Sequence, residues 1–165
     1  MSVLWIVLVL VVVQRIAELI YARRNTAALL ARGGIEEGGS HYPLFVVLHA
    51  AWIVCMAAFI PPSTVPNWWL LALYALLQVA RLWVVASLGP YWTTRVITLP
   101  SEPLVRKGPY RFLRHPNYVV VMLEIVVLPL AFGALWIAVF FAVLNAALLS
   151  WRIRIENAAL ASRRA

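Results

Sequence analysis

The chain has 165 residues, of which 64% are hydrophobic and only 12% are charged, and its formal net charge is +8. A soluble domain carries about 25% charged residues, so this composition excludes an ordinary soluble domain and predicts an integral membrane protein. The basic residues lie beside apolar segments, which favours contacts with membrane lipids over nucleic-acid binding, and the single cysteine, Cys55, excludes an intrachain disulfide and a cysteine-based zinc cluster.

Three apolar segments in the first half of the chain are long enough to cross a membrane, since one spanning helix takes about 20 residues. We predict spans over Ser2–Tyr21, Tyr42–Ile60 and Trp68–Leu88. A polar loop, 22–40, separates the first two. The first segment lacks a basic start and an A-x-A-like cleavage site, so we expect it to be a retained span and not a signal peptide.

The longest polar segment runs from Gly89 to Pro116 and contains several prolines and basic residues. Proline lacks a backbone N–H and disfavours helix at the residue before it. We therefore predict that this segment is mostly loop, with at most short helices.

The apolar run Val119–Leu149 is too long for one span, because as a single helix it would measure about 46 Å against a hydrocarbon core of about 30 Å. Pro129 and Gly133 near its middle are helix breakers. The run therefore predicts a hairpin of two short helices, 117–131 and 135–150, and a polar helical tail follows it.

Outside the predicted spans, basic residues lie in the first loop, the long loop and the tail, whereas the other two connections have none. The positive-inside rule places these three segments in the cytoplasm and the N-terminus outside. The fold class predicted is an all-α integral membrane protein with five transmembrane helices, the last two a short helical hairpin, and with a cytoplasmic loop and C-terminal helix.

Polar side chains inside the predicted spans lie at one depth, in the cytoplasmic half. Charged groups within a membrane are costly and suggest function, and a carboxylate as deep as Glu124 must be either protonated or paired, with Arg81 as the candidate partner. The alternative is that these side chains snorkel and hold helices together. The layer comprises Arg15, Glu18, His49, Gln78, Arg81, Glu124 and Asn145.

This layer predicts a polar cavity that opens to the cytoplasm and suits a substrate with a polar head and an apolar tail. His41 and His49 are candidate proton acceptors there, and Glu124 and Arg81 complete the candidate catalytic set. For either histidine alone, a structural role is the more frequent one.

Two segments carry further information: GPYRFLRHPNY, from Gly108 to Tyr118, and RIRIENAAL, from Arg152 to Leu160. Arginines beside Tyr110 and Phe112 next to a span are typical of an interfacial anchor. The chain has no glycine-rich phosphate or dinucleotide loop, and nothing in it predicts a metal site.

Together the two segments resemble the signature of the isoprenylcysteine carboxyl methyltransferase family and its phospholipid-methyltransferase relatives. That signature is a G-P-Y-R…R-H-P-x-Y segment, a helical hairpin and a carboxylate near the C-terminus, and the resemblance covers Leu99–Leu160. It implies an S-adenosylmethionine site at the membrane surface and no Rossmann domain. The resemblance also implies one domain over residues 1–165. Its first part, 1–88, would be three helices that bind the substrate, and its second part, 89–165, would bind the cofactor.

The resemblance also implies the residues that hold the cofactor. Arg114 and His115 would bind the methionyl carboxylate, Glu156 the α-amino group, and Tyr110 and Tyr118 the adenine or the sulfonium. The complete set implied is Tyr110, Arg111, Arg114, His115, Pro116, Tyr118, Glu156 and Asn157.

Two positions depart from the family pattern. Val120 stands where many relatives have Gly, and Asn157 stands in place of the second residue of a Glu-Glu pair. The second departure is expected to weaken cation binding there or to shift the role to Asn157.

The segments RIAELIYARRN and HYPLFVVLHAAW resemble the small bacterial branch of the family, whose members resemble O-methyltransferases of alkylpyrones or alkylresorcinols. The resemblance implies methyl transfer to an enol, phenol or carboxyl oxygen of a lipophilic substrate at the cytoplasmic face of the bacterial inner membrane. S-Adenosylhomocysteine would be the second product. A small transporter or channel and a non-catalytic membrane scaffold are the alternatives.

Overall fold

A computed structural model describes residues 2–37, 39, 42–99 and 102–159, and these residues form five α-helices and one small sheet. The helices are α1 (Val3–Ala31), α2 (Tyr42–Phe59), α3 (Trp68–Leu88), α4 (Pro116–Ala131) and α5 (Leu135–Ala159). Two short 3-10 helices, Gly89–Tyr91 and Gly108–Arg111, lie in the long loop. The strands β1 (Ile35–Glu37) and β2 (Val96–Thr98) pair antiparallel.

Within the described residues, α1, α2, α3 and α5 are long and apolar enough to cross a membrane, whereas α4, with 16 residues, is a shorter apolar helix. Large apolar side chains also face outward, among them Trp69, which is 87% exposed. Apolar surface on all sides of a helix is typical of a membrane protein. The chain is therefore a helical integral membrane protein, and the count of five spans stays a prediction.

Side-chain caps explain where two of the spans begin. The Ser2 hydroxyl accepts a hydrogen bond from the Trp5 amide, and the Asn67 side chain accepts from the amides of Trp69 and Leu70 at 3.1 and 3.2 Å. Such caps satisfy amides that have no partner within the helix. Helix α3 ends where Gly89 adopts a φ of 53°.

The largest apolar core joins all five helices, and the fully buried Trp52 lies within it. The Trp52 indole N–H donates to the carbonyl oxygen of Ile125 at 3.2 Å. That carbonyl would otherwise accept from the residue four positions later, but Pro129 stands there and has no N–H. Trp52 thus satisfies the acceptor that Pro129 leaves open, and α4 continues through its proline to Ala131.

The predicted hairpin is confirmed, because α4 and α5 are joined at Gly133, which has a φ of 72°, but the second helix is not short: α5 has 25 residues. The polar tail continues α5 without a break to Ala159.

Helix α1 extends ten residues beyond its predicted end at Tyr21, into the segment that was predicted as loop. Its extension has a buried face, on which Ala22 is fully buried and the Asn25 amide donates to the carbonyls of Gly89 and Trp92 at 3.0 and 2.8 Å. The β1–β2 ribbon, with Ile35 opposite Thr98, was also not predicted. The ribbon joins the end of α1 to the long loop.

Gly108 brings the GPYR turn against the end of α3. Its φ is 56°, and a Cβ atom at this position would lie 2.1 Å from the Ser87 Oγ and 3.0 Å from the Ser87 Cβ. Rotation of the Ser87 side chain would remove only the first of these clashes. A glycine is therefore required both by backbone conformation and by space.

We expect Gly108→Ala to lower the thermal unfolding midpoint in detergent more than Gly133→Ala does. Both substitutions incur the cost of a positive φ, about 1–2 kcal/mol, but a Cβ at Gly133 has no heavy atom within 4 Å. The double variant Gly108→Ala/Ser87→Gly should regain part of the loss. Equal midpoints for the two single variants would show that the turn does not pack as described.

Candidate active site

Two cavities lie on either side of the start of α4. The polar cleft, of about 690 Å³, is formed by the long loop and the end of α5, and its lining includes Arg95, Arg106, Tyr110, Arg114, His115 and Glu156. The apolar groove, of about 430 Å³, is formed mainly by α1 and α2 and closed by α4 and α5, and its lining includes Ile16, Phe45, His49, Ile53, Tyr118 and Val121. Arg152 lines both cavities.

The polar cleft is rich in positive charge, since five arginines and two glutamates line it. One of these glutamates, Glu102, forms an ion pair at 2.5 Å with Arg32, at the end of α1. The other, Glu156, lies at the inner wall. The cleft can therefore hold a ligand that carries an anionic group beside a cationic one.

A hydrogen-bonded cluster of four side chains separates the polar cleft from the apolar groove. The Tyr118 hydroxyl donates to the Glu156 carboxylate and accepts from Arg152 Nε at 2.8 Å. His115 Nδ1 lies 3.4 Å from Glu156 Oε1, and the His115 ring stacks on the Tyr118 ring with centroids 5.2 Å apart. We call these residues the dividing cluster.

Local structure explains the dividing cluster. His115 stands at the N-cap position of α4 but makes no side-chain capping hydrogen bond, and Pro116 is the first residue of the helix, where a proline loses no helical hydrogen bond. The ring of His115 is thereby free to turn back over Tyr118. Arg152 and Glu156 are four residues apart, so they lie on one face of α5.

The remaining residues of the predicted cofactor set have different positions. Arg111 and Arg114 are exposed and line the polar cleft, whereas Pro116 is buried and outside the lining of both cavities. The Asn157 Oδ1 lies 3.4 Å from His115 Nε2. Tyr110 packs beside the cleft, and burial raises the pKa of its hydroxyl, which therefore stays protonated.

Val120, at the first departure from the family pattern, has a packing role. It is buried in a small apolar cluster with Ala22, Val84 and Trp92, next to Tyr110. The branched side chain fills space that a glycine would leave open, so this departure does not disturb the dividing cluster.

The predicted ion pair between Arg81 and Glu124 is confirmed, with Nη1 and Oε2 3.1 Å apart. It belongs to a larger buried cluster of four charges. Arg15 Nη2 lies 2.6 Å from Glu124 Oε2, and Arg81 binds both oxygens of Glu18 at 2.6 and 2.5 Å. Gln78 donates to the second oxygen of Glu124 at 2.9 Å. We call Arg15, Glu18, Arg81 and Glu124 the four-charge cluster.

The four-charge cluster borders the apolar groove on one side. Arg15, Glu18 and Arg81 line the groove, as does His49, whereas Glu124 is 0% exposed and lies behind them. Asn145, from the same predicted layer, instead donates to the sulfur of Met122 at 3.9 Å. The second candidate histidine, His41, lies outside the described residues.

Sequence reasoning missed Arg152 as a site residue. Its guanidinium lies over the rings of Phe45 and Tyr118, at 5.4 and 5.8 Å from their centroids, which places it where the two cavities meet. Its position four residues before Glu156 indicated that Arg152 lies beside that carboxylate. Several other arginines of the tail and the loop, however, were equally plausible partners for Glu156.

The model of the isoprenylcysteine carboxyl methyltransferase (ICMT) family matches residues 70–162. The chain is 40% identical to the "Uncharacterized protein YpbQ" of Bacillus subtilis (strain 168) over 163 residues, which cover 94% of this chain and 95% of that one. It is 26% identical to an "Uncharacterized protein" of Haemophilus influenzae over 146 residues, 83% of each chain. No solved structure matches the chain.

We expect Glu124→Gln and Arg81→Met each to destabilise the protein by about 3–5 kcal/mol, because each leaves a buried charge unpaired. The double variant should regain much of that loss. The surface pair Arg95–Glu36, with side chains 43% and 24% exposed, is the control, and Glu36→Gln should cost at most about 1 kcal/mol. Unfolding midpoints in detergent would measure these effects, and full stability of Glu124→Gln would contradict the cluster.

Proposed function

The chain belongs to the isoprenylcysteine carboxyl methyltransferase family, and on that premise we propose that it transfers a methyl group from S-adenosylmethionine to an oxygen of a lipophilic substrate. The family is one of membrane methyltransferases, and the helices of this chain are those of an integral membrane protein. The observation that carries the proposal is the meeting of a charged cleft and an apolar groove at the dividing cluster.

The polar cleft fits S-adenosylmethionine by the chemistry of its donors and acceptors. The cofactor has an ammonium, a carboxylate, a sulfonium and an adenine. Glu156 engages one donor with each oxygen, the Tyr118 hydroxyl and His115 Nδ1, and each oxygen keeps a lone pair for an ammonium. Arg114 and its neighbouring arginines complement a carboxylate.

When bound, S-adenosylmethionine supplies an electrophilic methyl group, and S-adenosylhomocysteine remains after transfer. The protein residues act by holding and aligning the two reactants. Tyr118, fixed by hydrogen bonds to Glu156 and to Arg152, would position an acceptor oxygen together with Arg152 at the boundary of the two cavities. Such alignment accounts for much of the rate in a reaction of this kind.

The apolar groove suits the alkyl tail of the substrate, because it opens among the apolar side chains of α1 and α2. Arg15, Glu18, His49 and Arg81 would face the polar head. An enol, a phenol or a carboxyl group could supply the acceptor oxygen. The narrower proposal is that the substrate is an alkylpyrone or an alkylresorcinol.

We also propose that the cleft faces the cytoplasm of a bacterial inner membrane and that the N-terminus lies outside. The cofactor is a cytoplasmic solute, and the cleft lies where α1 and α3 end and α4 begins, among the basic residues. The substrate part, 1–88, and the cofactor part, 89–165, form one domain in this proposal.

Calorimetry in detergent tests the cofactor site. We expect Arg114→Ala, His115→Ala and Glu156→Gln each to weaken S-adenosylmethionine binding about tenfold to a hundredfold, since each removes a charge-assisted hydrogen bond worth about 1.5–3 kcal/mol. The controls are Arg154→Ala and Glu37→Gln, whose side chains do not line the cleft, and both should bind the cofactor as wild type does. Wild-type affinity in all three site variants would refute the assignment.

Transfer itself can be followed with cofactor labelled in its methyl group. Incubation with an alkylresorcinol or an alkylpyrone should yield an extractable labelled ether, and Glu156→Gln should lower the yield at limiting cofactor.

Labelling of terminal tags in intact cells tests the orientation. We expect a tag before Ser2 to react with a membrane-impermeant reagent and a tag after Ala165 to react only after lysis, because the basic segments should lie inside. Reaction of both tags from the same side would mean an even number of spans.

A further inference from the structure

Four basic residues on and beside the wall of the polar cleft have no acidic partner. All four are exposed, and three of them line the cleft. Within the described part of the chain, no ion pair joins any of them to a carboxylate, and the two glutamates of the cleft pair with Arg32 and His115 instead. The four are Arg106, Lys107, Arg111 and Arg114.

S-Adenosylmethionine would leave part of this charge unbalanced. Its single carboxylate can form a bidentate pair with one guanidinium, while its ammonium and its sulfonium bring two further positive charges. Glu156 can balance only one of these two. A second anion beside the cleft would therefore complement the basic residues, and it would reduce their repulsion of a cationic cofactor.

The same turn carries exposed apolar side chains. Phe112 is 78% exposed and Leu113 is 49% exposed, and the guanidinium carbon of Arg111 lies 6.0 Å from the centroid of the Phe112 ring. Trp83 of α3 lies beside the turn, because a Cβ at Gly108 would be 3.2 Å from its indole nitrogen, and Trp83 is 54% exposed. In a membrane protein, aromatic rings beside basic groups are typical of the headgroup level.

Helix α4 has an exposed apolar face that follows this turn in the chain. Val119 and Leu123 are four residues apart, so they lie on one face of α4, and they are 48% and 44% exposed. The basic side chains thus adjoin apolar surface on the membrane part of the protein, which suits a lipid with an anionic headgroup better than a free anion. We call residues 106–113 the basic turn.

We propose that the basic turn binds the phosphate of an anionic phospholipid and that this lipid strengthens the binding of S-adenosylmethionine. The second part rests on the proposed function. The lipid is a bound partner and not the methyl acceptor. Guanidinium and ammonium groups complement its phosphate, and Phe112 and Leu113 would contact its acyl chains. A zwitterionic lipid presents the same phosphate beside a cationic group that the basic turn repels, so the site selects by headgroup charge.

The link to the cofactor follows from the position of the basic turn. Arg106, Arg111 and Leu113 are themselves part of the lining of the polar cleft. A phosphate held there offsets excess positive charge on the wall of the cleft. S-Adenosylmethionine, with its sulfonium, should gain more from this than S-adenosylhomocysteine, which has no sulfonium charge.

Native mass spectrometry of the whole protein in detergent tests the lipid site, because it resolves individual bound lipids. We expect the first phosphatidylglycerol to bind about tenfold or more tightly than phosphatidylcholine with the same acyl chains, since each basic residue near a headgroup contributes about a factor of five. Lys107→Gln/Arg111→Gln should remove most of that preference and leave phosphatidylcholine binding unchanged.

Two variants serve as controls. Arg23→Gln/Arg24→Gln removes two exposed basic residues of α1 that line neither cavity, and it should lower phosphatidylglycerol affinity by less than about twofold, because the basic turn is left intact. Lys107→Arg/Arg111→Lys keeps both charges and should retain the preference. Unfolding midpoints show whether each variant is folded.

Calorimetry in nanodiscs tests the link to the cofactor. We expect the wild type to bind S-adenosylmethionine about fivefold or more tightly when phosphatidylglycerol is added to phosphatidylcholine, and S-adenosylhomocysteine to respond less. Lys107→Gln/Phe112→Ser, whose side chains do not line the cleft, should lose most of this gain. The surface potential of the bilayer acts on both proteins alike, so their difference isolates the basic turn.

Equal affinity of the wild type for the two lipids would overturn the lipid site, as would an equal loss in the α1 control variant. An equal gain in cofactor affinity for the wild type and Lys107→Gln/Phe112→Ser would overturn the link. Absence of S-adenosylmethionine binding in both nanodiscs would refute the proposed function and the link with it, whereas a preference for phosphatidylglycerol that depends on Lys107 and Arg111 would still support the lipid site.

Discussion

A carboxylate among apolar helices is stable only beside a cation, and here two glutamates share two arginines. Arg15 and Arg81 each contact both Glu18 and Glu124, which ties α1 to α3 and α4 through charge-assisted hydrogen bonds. The apolar groove depends on this arrangement, because Arg15, Glu18 and Arg81 of the same four-charge cluster form part of its wall. From the sequence, holding helices together and lining a cavity were alternative roles for these residues. In the structure the same residues do both.

The part of the chain that matches the family model is also the part that forms most of the polar cleft, whereas the apolar groove takes further residues from outside it. Residues 70–162 include most of the polar cleft and the whole dividing cluster. The groove takes Arg15, Phe45 and His49 from α1 and α2, which precede that range. A substitution in the part of α1 or α2 that lines the groove therefore alters the groove and leaves the dividing cluster intact.

Local signals in the sequence predicted the hairpin and the Arg81–Glu124 pair. Pro129 and Gly133 break a helix at their own positions, so they locate the turn of the hairpin. The depth of Arg81 and of Glu124 in the membrane follows from counting residues along each helix. The contact of Arg15 with Glu124 depends on how α1 and α4 are rotated about their own axes. The apolar residues of these spans are spread over all faces, so the sequence does not show which face packs inward. The β1–β2 ribbon joins residues as far apart as Ile35 and Thr98, so no local pattern indicates it. The roles of His49 and Glu124 in catalysis stay predictions, and His41 lies outside the described residues.

The spacing of Arg15 and Glu18 has a consequence for biogenesis. The two side chains are one turn apart on α1, with Nη1 and Oε2 at 3.4 Å, and α1 is made before α3 and α4. Helix α1 can enter the bilayer with its own charges paired, which lowers the cost of insertion. Arg81 and Glu124 reach the membrane later on separate helices, each with one unmatched charge. The pair on α1 thus offers each arriving side chain an opposite charge, and the net charge of the cluster returns to zero once both Arg81 and Glu124 have docked.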